Sequence, residues 1–134
     1  SKSMCRGPSN WRAAVSPLPK HPGRAKMPNV TMFIQTEKMP PDGALAELTA
    51  QCTQLCTEIL KAALKNVHII YVAVRQGQGH PAFAEIKYRL EPFRTQPVMD
   101  SFMERLDEVI KRNTGLTARI RCFGYAAPNI HARN

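Results

Sequence analysis

The sequence predicts an α+β domain in which two β-α-β units form one four-stranded sheet with two helices on one face. Three observations lead there. A strand pattern, a helix pattern and a second strand pattern occur twice in the same order between residues 30 and 125. Proline and glycine clusters fall between these segments rather than inside them. Several strands also separate apolar from cationic side chains by alternation, the mark of a sheet covered on one side only.

The elements follow in order. Residues 30 to 36 alternate, with Val30, Met32 and Ile34 facing one way and Thr31, Phe33 and Gln35 the other. Pro40-Pro41-Asp42-Gly43 stops this strand and offers Asp42 as a helix N-cap. Leu45, Leu48, Cys52, Leu55, Ile59 and Ala62 then recur at helical spacing, predicting a helix to about Leu64. IIYVAVRQ, residues 69 to 76, is the second strand, closed by the loop Gly77-Gln78-Gly79. AEIKYRL, residues 84 to 90, opens the second unit. Pro97 suits the first turn of the next helix, whose stripe is Val98, Phe102, Leu106, Val109 and Ile110. Gly115 is its expected C-cap, and TARIRCFGY, residues 117 to 125, is the last strand.

Alternation predicts what each face carries. Ile86, Tyr88 and Leu90 oppose Glu85, Lys87 and Arg89, and Ile120 and Cys122 oppose Arg119, Arg121 and Phe123. In the second strand, Val72 and Val74 are assigned to the helix side, with Tyr71, Ala73 and Arg75 opposite. The open face thereby gathers arginines, whose planar fork matches a carboxylate or phosphate. For any single arginine, a solvated surface position is the simpler reading.

Charge is unevenly spread. Of the formal net charge of +9, the first 36 residues supply +6 and contain no Asp or Glu. The basic balance describes mainly this leader and argues only weakly for nucleic acid. Residues 1–27 read as a Pro-rich basic extension, with Trp11, Val15 and Leu18 as its apolar anchors, and 28–134 as the domain. No apolar run reaches membrane-spanning length, and no apolar segment marks a secretory signal. The four cysteines fit small buried residues in a reducing compartment, which predicts a cytoplasmic protein. Cys52 and Cys56, four residues apart, are at most half a metal site, and His68, His80 and His131 do not complete it. No metal or cofactor is expected.

Several stretches taken together resemble a known family. MPNVTMFIQT, PDGALAELT, IYVAVRQ and RIRCFGYAAPNIHARN, in this order, resemble the tautomerase superfamily, including 4-oxalocrotonate tautomerase and macrophage migration inhibitory factor. The resemblance implies a homotrimer and a terminal proline acting as general base on small enol or keto carboxylic acids. Pro28 is the residue matching that base, Arg89 and Arg121 fall where the family lines its pocket, and Arg75, on a neighbouring strand and read as facing the same way, is the third substrate-binding candidate. Aligning MFI with the opening of the inhibitory-factor branch instead places Thr31 at the catalytic position, leaving no catalytic proline.

The chemistry depends on the nitrogen of Pro28. A terminal proline is a secondary amine, which burial brings toward the range suited to general-base work. Behind Met27 the same nitrogen is a tertiary amide without basicity. The expectation is therefore an isomerase if the working chain begins at Pro28, and a binding or structural trimer if the extension stays attached. A third reading, an RNA-binding ferredoxin-like domain, rests on the order of elements and on RCFGYAAP, a partial echo of an RNA-binding aromatic motif.

Overall fold

The computed structural model describes residues 27–134. The predicted extension, including Trp11, Val15 and Leu18, lies outside the described residues apart from Met27. The described residues form four strands and two long helices: β1 (Asn29–Gln35), α1 (Asp42–Glu58), β2 (His68–Val74), β3 (Ala82–Arg89), α2 (Gln96–Thr114) and β4 (Ala118–Tyr125). The sheet order is β2-β1-β3-β4. β1 runs parallel to β2, β3 runs parallel to β4, and β1 meets β3 antiparallel in the centre. Each β-α-β unit thus keeps its two strands side by side. A split β-α-β arrangement, the ferredoxin-like alternative, would place another strand between them.

The core forms between one sheet face and the helices. Val30, Met32 and Ile34 from β1 join Ala82, Ala84 and Ile86 from β3, all buried. Leu48, Cys52, Leu55 and Cys56 of α1 and Met99, Phe102, Leu106, Val109 and Ile110 of α2 close over them. α2 follows its sequence signals: the Thr95 hydroxyl accepts from the Val98 amide, and Gly115 takes a left-handed conformation with φ 71°.

Three expectations are corrected. α1 ends at Glu58 instead of near Leu64, because the chain turns at Lys61, which has φ 58°. The Ala62 amide then reaches back to the Cys56 carbonyl at 3.1 Å. Ala62 is buried, as the apolar stripe required, but a turn delivers it there. Asp42 is the first helical residue rather than the cap; Pro41 occupies the cap position, and Asp42 places its charge against the helix N-terminus.

The third correction concerns β2, whose faces are the reverse of those predicted. The register pairs Met32 with Tyr71 and Ile34 with Ala73, so Ile69, Tyr71 and Ala73 share the helix side. The Tyr71 hydroxyl lies 2.8 Å from the Thr49 hydroxyl on α1, which anchors that assignment. Val72 and Val74 therefore lie on the open face. Arg75 sits one residue beyond the strand, exposed, and out of phase with the open-face arginines.

Candidate functional site at the start of β1

Pro28 leads directly into β1 and is fully buried. Its carbonyl accepts the His68 amide at 3.3 Å, beginning the pairing of β1 with β2. Before it stands Met27, with φ 59° and a cis peptide bond to Pro28. This junction is held from below by Arg94, a residue only 5% exposed in the loop between β3 and α2. Its Nε donates to the Leu60 carbonyl at 3.0 Å and its Nη1 to the Arg89 carbonyl at 2.8 Å. Its Nη2 makes a longer contact, 3.5 Å, with the Met27 carbonyl. Burial lowers the pKa of Arg94 and the charge of Glu91 opposes that shift, so the guanidinium stays charged. A positive charge thus lies near the bond to the Pro28 nitrogen.

Beside this junction opens a cleft of about 370 Å³. Met27, Asn29, Lys65, Asn66 and His68 line one part, and the tail residues His131, Ala132, Arg133 and Asn134 the rest. Lys65 and Arg133 bring positive charge, the two histidines and the asparagines bring polar groups, and no Asp or Glu side chain takes part. Such a lining favours an anion. Sequence reading did not single out Lys65, His68, His131 and Arg133, which line the cleft, or Arg94 beneath the junction, as candidate site residues. The cleft joins a short turn before β2 to the tail after β4, a proximity created by the fold.

The sequence-predicted arginines are placed differently. Arg89 ends β3, half-buried, with its Nε 3.3 Å from Glu91 Oε2 in an ion pair without hydrogen-bond alignment. Arg121 is exposed, and its Nη1 turns back to the Ile120 carbonyl at 2.8 Å. Arg89 is level with Tyr125 and Arg121 with Glu85. Four residues of strand therefore separate them, about 13 Å at roughly 3.3 Å per residue. Within one protomer Arg75, Arg89 and Arg121 do not meet, and none lines the cleft. Thr31 faces the open side of the central strand, level with Glu85.

The cysteines behave as core. Cys52 and Cys56 are fully buried, and Cys56 is pushed up by its hydrogen bond with Cys52 and by burial. Burial also pushes the Cys122 thiol up to about 12. Among the described residues no cluster of three His, Cys, Asp or Glu could hold a metal ion. No helix among them is long and apolar enough to cross a membrane.

Comparison with known proteins gives the fold its family context. No family profile matches the chain, and no curated protein matches it significantly. Among solved structures, the macrophage migration inhibitory factor-like protein of Entamoeba histolytica superposes with a TM-score of 0.64 at 12% identity, covering 79% of this chain and 95% of that one. A fused 4-OT wild type symmetric trimer gives 0.64 at 15%, covering 78% and 92%. Malonate semialdehyde decarboxylase, whose structures address decarboxylase and hydratase activities, gives 0.59 at 10%, covering 79% and 91%. The chain has the tautomerase-superfamily fold.

Proposed function

We propose that this protein is a trimeric, cytoplasmic isomerase of small enol or keto carboxylic acids. Pro28 is its general base in a working chain that begins at that residue, with residues 1–27 forming a removable extension and 28–134 the enzyme. One observation carries the reading: Met27, the residue bonded to the Pro28 nitrogen, lines the cationic cleft. Without Met27, that nitrogen would be a secondary amine at the cleft wall. It could then take a proton from a substrate carbon while Lys65 and Arg133 hold the carboxylate and the developing enolate charge. Arg75, Arg89 and Arg121 are substrate-binding candidates only across a boundary between copies, given their separation in one protomer. The trimeric 4-OT neighbour and the free cysteines support the assembly and the reducing compartment.

A second reading has its own observation. In the chain as it stands Pro28 is acylated, and its acyl oxygen is held by Arg94. That form has no base at the position, and its cationic cleft would serve binding or assembly.

Activity on phenylenolpyruvate separates the two. The chain of residues 1–134 should be inactive, and the chain 28–134 should exceed the spontaneous rate by about 10²–10⁴-fold, the usual contribution of a general base. Pro28→Ala in the shorter chain should lose most of the gain. Equal activity with and without residues 1–27 would remove Pro28 from the mechanism. Inactivity of both forms would favour the binding role.

A further inference from the structure

The bond between Met27 and Pro28 is enclosed on both of its sides. On the acyl side, the Met27 carbonyl oxygen lies 3.5 Å from Nη2 of the buried Arg94. On the nitrogen side, Pro28 is fully buried and its carbonyl accepts the His68 amide. The residues that follow belong to the middle of the sheet. Asn29 pairs with His68 of β2 on one edge and with Lys87 of β3 on the other, and Val30 pairs with Ile69 and Ile86. β1 therefore has no free edge. Met27, by contrast, is half-buried and lines the cleft.

We propose that folding closes the Met27–Pro28 bond to peptidases, so the Pro28 amine can be released only before β1 enters the sheet. The inference rests on the reading of Pro28 as the base and adds when that base can be made. Hydrolysis requires water to attack the Met27 carbonyl carbon, a peptidase to polarise the carbonyl oxygen, and the Pro28 nitrogen to leave with a proton. Recognition of an extended segment draws on its backbone hydrogen-bonding groups over several residues. Here the residues on the leaving side already use theirs in two ladders, and the carbonyl oxygen faces Arg94.

Exposure of Met27 alone is therefore not enough. Freeing Pro28, Asn29 and Val30 means withdrawing the central strand, which carries Val30, Met32 and Ile34 of the core. Such an opening approaches global unfolding. A chain that folds with Met27 attached stays acylated and without a base. The catalytic and acylated forms are thus fixed during synthesis and do not interconvert in the native state.

Two measurements test this. In the full chain, amide hydrogen exchange of His68 and of β1 should proceed at the rate of the slowest core amides, those of Phe102 and Leu106. Exchange there more than about tenfold faster would overturn the proposal, because the strand would open without unfolding. The second uses a methionyl aminopeptidase on the chain 27–134, read by intact mass. Added during cell-free synthesis, it should remove Met27. Added after the chain shows the native amide spectrum, it should act at least ~10³-fold more slowly, since cleavage then waits on the small open population. Comparable rates in the two arms would overturn the proposal. Retention of Met27 in both would overturn it too, since resistance would then have a cause other than folding. Neither measurement needs a substrate, so inactivity of the chain 28–134 would count against Pro28 as the base and not against the closure of this bond.

Discussion

Arg94 matters more to this molecule than the arginines that alternation singles out. It is buried, and its guanidinium serves the carbonyls of Leu60, Arg89 and Met27. Arg94→Gln should destabilise the fold by about 2–4 kcal/mol in urea denaturation, since buried acceptors lose their donor. Arg121→Gln, a change in an exposed side chain, should stay within about 0.5 kcal/mol. The contrast explains what the sequence showed at this scale. Arg89 and Arg121 stand in alternating strands, where a pattern assigns each side chain a face. Arg94 lies in the loop EPFRT, where no periodicity operates, and its burial depends on chain segments 5 to 67 residues away.

Most elements were legible because both kinds of signal agreed: alternation or helical spacing inside the segment, and proline or glycine at its ends. β2 is the instructive failure. In HIIYVAV nearly every residue is apolar, so alternation could not say which face was buried. The register with β1 decides it, together with the need of the Tyr71 hydroxyl for a partner, met by Thr49. The pairing of β3 with β4 has a similar local constraint. Gly124 sits level with Tyr88, and a Cβ there would lie 2.6 Å from Leu90 Cδ2 and 2.8 Å from Tyr88 Cζ. Gly124→Ala should therefore push the exposed Leu90 side chain and the end of the Tyr88 ring aside at a cost of about 1 kcal/mol or less, measured as a slightly lowered denaturation midpoint. Gly77→Ala, where a Cβ meets nothing within 4 Å, serves as the control and should be close to neutral.

For the whole molecule, the architecture could be read from the order of elements, but the site could be read only in part. Pro28 could be singled out only as a candidate, from its place before the first strand. The cleft beside it could not, because Lys65, His68, His131 and Arg133 come from segments that meet only after both β-α-β units close on one sheet. The functional account turns on the Pro28 nitrogen, and an activity assay tests it only as well as its substrate is chosen. Titration of the Pro28 nitrogen by ¹⁵N NMR, in a chain beginning at that residue, avoids this dependence. Burial disfavours the protonated amine, and the nearby Arg94 guanidinium disfavours it further. The account predicts a pKa clearly below the ~7.7–8.0 of an ordinary α-amino group, toward neutrality. A value at or above that range would contradict it.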